Sequence, residues 1–249
     1  MTTGPTPTLA PITDPADLGT VLGVWAHPDD EAFLSAGIMA GGARAGNRVM
    51  VVTATRGEQG TTDPARWPPD RLGRLRESEL TASLAALGVR EHRFLGYVDG
   101  ACSAVPEAEG VERVAAIIGE VQPDTILTFG PDGMTGHSDH RTVSRWVAGA
   151  VAATGTLARA LAATTTGDFL DRFATEHERF GVYFAGEPPW HGEDELIVHY
   201  RPDEAILDCK LAALRAQASQ TWGLIEAMGE ERFMEWTAVE AFVELVVPV

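Results

Sequence analysis

Cysteine is scarce in this chain, with two among 249 residues, Cys102 and Cys209. They are far apart and form no CxxC pair, so we expect free thiols in a reducing cytoplasm rather than a disulfide framework. The N-terminal stretch "MTTGPTPTLAPITDPADLG" has no lysine or arginine and no apolar centre, so we expect no secretory signal. No apolar run reaches the roughly 18 residues of a transmembrane helix, and we expect no membrane span.

Basic residues are also few, because 19 lysines and arginines face 36 aspartates and glutamates and give a formal net charge of −17. Such a chain repels phosphate backbones and anionic lipids, which argues against nucleic acid and membrane surfaces as partners. Hydrophobic residues make up 45% and charged residues 22%, as in ordinary globular proteins. We therefore expect a small-molecule substrate as the binding partner. The composition does not decide whether the protein forms a homo-oligomer.

Apolar runs and helical periods alternate along the first 150 residues. "TVLGVWA" (20–26), "NRVMVVTAT" (47–55), "HRFLGY" (92–97) and "DTILTF" (124–129) predict strands. Helical spacing over 33–46, 71–89, 111–121 and about 140–153 predicts the helices between and after them. This alternation predicts an α/β fold with a Rossmann-like, mostly parallel sheet covered by helices on both faces.

The last third of the chain is less regular and predicts a smaller mixed part. We expect strands at 195–200 and 241–247 and a helix at 204–221. The whole chain, 1–249, is predicted to be one domain. Residues 1–18, rich in threonine and proline, are predicted to form an extended N-terminal arm.

Two polar clusters carry the chemistry, and each follows a predicted buried strand. "HPDDE" occupies 27–31 and "HSDH" occupies 137–140. The carboxyl ends of parallel strands lie at one edge of a sheet, where ligands bind, so the fold predicts that the two clusters meet.

His27, Asp30 and His140 together match the ligand count of a catalytic zinc site, with two imidazoles, one carboxylate and a fourth position left for water. We therefore predict one Zn²⁺ per chain, while other divalent metals suit the same donors. Zinc lowers the pKa of bound water to about 7 and polarises a carbonyl group.

Three further residues are left for proton transfer and charge stabilisation. Asp29 is placed to act as general base. His137, oriented by Asp139, is predicted to stay protonated and stabilise a developing oxyanion or protonate the leaving amine. For Glu31 the favoured interpretation is a carboxylate in the first turn of a helix.

The two motifs "AHPDDE" and "GHSDH" resemble the signatures of the LmbE/PIG-L superfamily of zinc-dependent N-deacetylases. Weaker resemblance extends to "TATRGEQG", "RESELTASLAALGV", "FLGYVDG" and "KLAALRAQASQ", and so covers nearly the whole chain. The resemblance implies a cytoplasmic hydrolase that removes an acyl group, most simply acetyl, from an amide nitrogen of a GlcNAc-like or glycoconjugate substrate.

The resemblance also implies residue roles that the spacing alone does not. His27, Asp30 and His140 correspond to the family's zinc ligands, Arg76 to an arginine that holds a substrate hydroxyl, and Asp99 to a carboxylate for a sugar hydroxyl. Alternatives remain for both of the latter, because Arg76 can pair with a glutamate on its own helix and "DG" at 99–100 is a good turn.

Departures from the family pattern leave other activities open. Thr135 stands where the sugar deacetylase has a tyrosine, and Gln217 stands where family members often have histidine. An amidase acting on a thiol conjugate or another secondary amide is the nearest alternative, although "AFLSAG" lacks the lysine of that branch. A two-metal phosphoesterase and an inactive metal-binding module are more distant ones.

Overall fold

The computed structural model describes residues 11–61 and 63–247. Its helices run over Asp30–Ala45 (α1), Pro69–Ala86 (α2), Glu107–Val121 (α3), Ser138–Thr154 (α4), Gly167–Arg172 (α5), Ala174–Phe180 (α6), Glu204–Ala216 (α7), Ala218–Met228 (α8) and Glu230–Thr237 (α9). Its strands run over Val21–Trp25 (β1), Val49–Thr53 (β2), Glu91–Phe94 (β3), Thr125–Phe129 (β4), Arg159–Thr164 (β5), Val198–Tyr200 (β6) and Glu240–Glu244 (β7).

The strands form one sheet in the order β3-β2-β1-β4-β5-β7-β6. The first five are parallel, and β7 is antiparallel to both β5 and β6. Helix α7 packs on both α1 and α2, while α3 packs on α4 and α4 packs on β1 and β4. The prediction of a mostly parallel sheet with a smaller mixed C-terminal part is confirmed.

Strand β1 lies inside the sheet, with β2 on one side and β4 on the other. All five residues of β1, and all five of β4 beside it, are buried, as expected for strands covered on both faces. The order β2-β1-β4 makes a topological switch point, with a crevice at the carboxyl ends of β1 and β4. The first polar cluster begins two residues after the end of β1, and the second follows β4 after the loop 130–136.

Some elements differ from the sequence-based expectation. The predicted helix over 204–221 is divided at Gln217 into α7 and α8. Strand β5, "RALAAT", was not predicted, because its alanines have weak strand propensity and its pairing with β4 and β7 determines its conformation.

The N-terminal arm is only partly extended where it is described. Pro15–Leu18 form a 3₁₀ helix capped by the Asp14 side chain, and Ile12 makes a β-bridge with Val198. Buried Pro15 and Leu18 explain the turn, because they pack into the core rather than remaining in solvent. Residues 1–10 of the predicted arm lie outside the described residues. No helix of 11–61 or 63–247 is long and apolar enough to cross a membrane.

A buried ion pair ties α1 to the C-terminal part of the chain. Lys210 Nζ lies 2.6 Å from Glu240 Oε1, and both side chains are fully buried. Lys210 also donates to the Phe33 carbonyl at 3.0 Å, and Glu240 accepts the N–H groups of Gly37 and Ile38 at 2.7 and 2.8 Å. Each charge is thus paired and hydrogen-bonded, as burial requires. The helix that follows the first polar cluster is thereby anchored on α7 and β7.

Replacing Lys210 tests this anchor. Lys210→Met leaves the Glu240 carboxylate buried without its counter-ion, so we expect the free energy of unfolding to fall by about 3–5 kcal/mol in urea denaturation. The matched control is Arg48→Met, which removes the exposed Arg48–Glu91 pair and should cost less than about 1 kcal/mol. Equal losses in the two variants would contradict an anchoring role.

Candidate active site

The loop after β1 brings two of the predicted metal ligands together locally. Asp30 begins α1 and turns its Oδ2 back to accept the backbone N–H groups of Ala26 and His27, at 3.2 and 2.7 Å. This requires a sharp turn at Asp29, whose φ of 105° is rare for a residue other than glycine. The turn places the His27 and Asp30 side chains on one side of the loop.

His140, from the first turn of α4, completes the group that we call the ligand cluster, formed by His27, Asp30 and His140. The His27 Nδ1 to His140 Nε2 distance is 3.1 Å. His140 Nε2 lies 3.3 Å from Asp30 Oδ1, and His27 Nδ1 lies 3.7 Å from Asp30 Oδ2. Ligand atoms around a tetrahedral zinc ion are separated by about 3.3 Å, given bonds of about 2.0–2.1 Å. The two imidazole nitrogens have about this spacing, and Asp30 faces one imidazole with each of its two oxygens.

The outer ring nitrogens of both histidines are already engaged. His140 Nδ1 lies 3.0 Å from the Gly133 carbonyl, and His27 Nε2 lies 3.0 Å from Asp99 Oδ1 and 3.3 Å from Asp139 Oδ2. These acceptors place the ring protons on the outer nitrogens, so the lone pairs of the inner nitrogens point at each other and at the Asp30 carboxylate. Electron pairs that converge without a proton between them need a cation, and outer partners of this kind orient metal-binding histidines.

A proton can fill the same place when no cation is bound. Burial opposes a charge on His27, but hydrogen bonds to Asp139 and Asp99 and the charge of Asp30 outweigh it and raise the pKa of His27 to about 10. Burial lowers the pKa of His140 to about 4, so that ring is neutral. The cluster is thus built for one positive charge, a proton or a metal ion.

Two groups of three side chains place one potential ligand atom each within 4.8 Å of one another, and both groups contain His27 but not Asp30. One adds His137 and His140, and the other adds Asp99 and Asp139. In the second group, Asp139 already accepts the N–H groups of Gly100 and Cys102, at 2.7 and 3.1 Å. That carboxylate therefore serves to orient the His27 ring from outside.

Asp29 lies beside the ligand cluster and is held by Arg76. The Asp29 Oδ2 to Arg76 Nη2 distance is 3.1 Å. Burial raises the pKa of Asp29 to about 7, against the opposing charge of Arg76. A carboxylate with a pKa near neutral is suited to accept and return a proton at physiological pH.

Arg76 is itself buried, and its contacts in this structure are with the protein. Besides Asp29, it donates to the carbonyl groups of Gly57 and Pro28. A Cβ at Gly57 would lie 2.2 Å from Arg76 Nη1, so glycine is needed where the loop crosses the guanidinium. These contacts show Arg76 orienting Asp29, and the hydroxyl contact predicted from the resemblance stays a prediction.

The structure arranges His137 and Asp139 differently from the expectation. The Asp139 carboxylate faces His27, and His137 Nδ1 instead accepts the Asp139 backbone N–H at 3.2 Å as the N-cap of α4. Burial and the charge of His27 lower the pKa of His137, so the ring is neutral near pH 7 with its proton on Nε2. It remains next to the ligand cluster, with its ring centroid 4.7 Å from that of His27.

Sequence reasoning missed the partners that hold this group of carboxylates. Glu31 is fully buried, accepts the Asp29 backbone N–H at 3.1 Å, and accepts from Gln217 Nε2 at 2.5 Å. Glu58 Oε1 accepts the Asp99 backbone N–H at 2.9 Å. Gln217 lies where the predicted C-terminal helix divides, and that departure from the family pattern was the one signal for its role.

Comparison with known proteins agrees with this geometry. A family model described as "PIG-L: GlcNAc-PI de-N-acetylase" matches residues 22–151. A 1D-myo-inositol 2-acetamido-2-deoxy-alpha-D-glucopyranoside deacetylase from Acidothermus cellulolyticus is 35% identical over 235 residues, covering 81% of this chain and 79% of the relative. The chain belongs to the PIG-L family.

Solved structures share the fold at lower identity. The N,N'-diacetylchitobiose deacetylase from Pyrococcus horikoshii has a TM-score of 0.65 and 22% identity, over 92% of this chain and 85% of that one. A zinc-inhibited form of the teicoplanin deacetylase Orf2 has a TM-score of 0.67 and 16% identity, over 91% of this chain and 98% of that one. In this PIG-L protein, the family motifs thus lie on the family fold.

The strained turn at Asp29 can be tested by stability. Asp29→Gly and Asp29→Ala both remove the carboxylate, but only glycine adopts a φ of 105° without strain. We expect metal-free Asp29→Gly to be more stable than Asp29→Ala by about 1 kcal/mol in urea denaturation. The control is Ala85→Gly, at an exposed position of α2. There glycine should make the protein less stable than the wild-type alanine does. If Asp29→Ala is the more stable of the two, the turn is not strained.

Proposed function

We propose that this chain is a zinc-dependent N-deacetylase that hydrolyses the acetamide of a GlcNAc-like sugar or glycoconjugate. The convergence of three electron-pair donors from His27, Asp30 and His140, beside the partly buried carboxylate of Asp29, is the observation that carries the proposal. The relative and both solved structures are all named as deacetylases, which supports the same reaction class.

Two imidazoles and one carboxylate suit Zn²⁺ and leave a coordination position open, although other divalent metals accept the same donors. When bound there, the ion would acidify a water molecule and polarise the acyl carbonyl. The ligand cluster is the better place for the ion because Asp30 accepts backbone N–H groups only at Oδ2, whereas both oxygens of Asp139 accept one.

Asp29, Arg76 and His137 then have different roles in the reaction. Asp29, with its pKa near 7, accepts the proton of the attacking water and can return it to the leaving nitrogen. Arg76 keeps the Asp29 carboxylate in place during both transfers. The Nε2–H of His137 has no partner among the described residues and lies next to the cluster, so it can hydrogen-bond to the oxygen on which negative charge develops.

The alternative activities are less well supported by the geometry. A two-metal phosphoesterase needs a second ion. The ligand cluster and the group of His27, Asp99 and Asp139 both depend on His27, so they do not form two separate metal sites. An inactive binding module has no need for Asp29 and His137, which both adjoin the cluster. An amidase acting on another secondary amide would use the same groups, so it is distinguished by substrate.

Metal content and acetate release test the proposal together. We expect one Zn²⁺ per purified chain, loss of hydrolysis of GlcNAc-inositol on chelation, and recovery on adding zinc. His140→Ala should lose the ion. Two ions per chain would favour phosphoester chemistry, and a protein that releases acetate without any metal would overturn the proposal.

Asp29→Asn separates the general base from metal binding. We expect zinc to remain bound, because the ligand cluster is intact, while kcat falls by about 10²–10⁴-fold. The matched control is Asp70→Asn, an exposed aspartate in the first turn of α2, which should leave turnover unchanged. Full activity in Asp29→Asn would show that another group accepts the proton.

A further inference from the structure

A cavity of about 350 Å³ lies beside the second motif and has no role in the proposed reaction. It opens to solvent and is bordered by α5, α6 and the segment 181–187, which we call the strap. Its lining includes Leu170, His177, Glu178, Tyr183 and Glu187. Its volume is at the lower end of the roughly 300–1,000 Å³ range of small-molecule pockets, enough for one ring-sized group.

The strap is docked directly on the loop that carries the second motif. The Phe184 N–H donates to the Thr135 carbonyl at 2.7 Å. A Cβ at Gly136 would lie 2.7 Å from the Ala185 Cβ, and the φ of Gly136 is +83°, so glycine allows the two backbones to approach. The strap therefore has a fixed position relative to His137.

Phe184 connects the cavity with the catalytic group. Its ring is 70% exposed, and its centroid lies 5.8 Å from that of His137. Tyr183, which precedes it in the chain, and Gly186, two residues after it, both line the cavity. A substrate whose amide reaches the ligand cluster would thus meet Phe184 first and the cavity next.

The lining has the chemistry of a polyol site. Glu178 and Glu187 offer hydrogen-bond acceptors, and Tyr183 offers an aromatic face and a hydroxyl group. His177 Nε2 accepts the Trp236 indole N–H at 3.1 Å, which leaves its proton on Nδ1, where it has no partner among the described residues. Lysine and arginine are absent from the described residues that line the cavity, so anionic groups are disfavoured.

We propose that this cavity is a second substrate subsite, which binds a neutral polyhydroxylated ring attached to the N-acetylated sugar. The carboxylates accept hydrogen bonds from its hydroxyls, His177 donates one, and Tyr183 and Leu170 cover its apolar face. This inference rests on the proposed function, because it places the attached ring on the far side of Phe184 from the amide that is hydrolysed.

A blocking variant tests the subsite with an internal control. Ala174 lines the cavity, is exposed, and lies at the start of α6, so Ala174→Trp fills the space without entering the core. We compare kcat/KM on GlcNAc alone and on GlcNAc linked to inositol. Wild type should prefer the two-ring substrate by about 10-fold or more, and Ala174→Trp should abolish that preference while leaving hydrolysis of GlcNAc unchanged.

Two further variants check the cause. Glu187→Gln, which keeps the side-chain shape, should lower kcat/KM for the two-ring substrate only. Ala85→Trp puts the same bulk on an exposed helical alanine of α2 and should alter neither substrate. A preference that survives Ala174→Trp, or an equal loss on both substrates, would overturn the subsite.

Binding of free myo-inositol keeps the test independent of turnover. Ligand-observed NMR should show saturation transfer to inositol with wild type and its loss with Ala174→Trp. Absence of transfer with wild type would overturn the subsite. Transfer that Ala174→Trp abolishes, in a protein that hydrolyses neither substrate, would support the subsite and overturn the proposed deacetylase function instead.

Discussion

The parallel pairing of β1 with β4 is the constraint on which the rest of the site depends. His27 and His140 are 113 residues apart in the chain, yet their ring nitrogens lie 3.1 Å apart because their strands are neighbours in register. Asp30 joins them through the turn that follows β1. If either strand slipped by one residue, its side chains would change faces and the convergence of electron pairs would be lost.

This convergence concentrates negative charge in a small volume, and the surrounding structure compensates for it. Five carboxylates lie in or next to the cluster, from Asp29, Asp30, Glu31, Asp99 and Asp139. Backbone N–H groups, the guanidinium of Arg76 and the His27 ring satisfy most of their oxygens. Such prepaired groups hold a site rigid before substrate arrives, which is what proton transfer over hydrogen-bonding distances requires. The anchor between Lys210 and Glu240 extends this rigidity to the body of α1.

The agreement between sequence and structure follows the strength of the local signals. Strands β1, β2 and β4 are continuous apolar runs, and α2 and α3 have clear helical periods, so all were predictable. Strand β5 was missed because alanine carries little strand preference, and the division at Gln217 was missed because its hydrogen bond to Glu31 is a tertiary contact. The pairing of Asp139 with His27, rather than with its neighbour His137, depends on ring orientations that sequence spacing does not encode.

The sequence by itself determined which residue types could bind a metal ion, their placement after two buried strands, and the motifs that the chain shares with the PIG-L family. Those features are local, since each depends on residues within a few positions of one another. Only the tertiary structure decided which carboxylate orients which histidine, that Arg76 holds Asp29, and that the strap borders a cavity near His137. These are contacts between distant segments, and their distances follow from how helices and loops pack on the finished sheet rather than from any period along the chain.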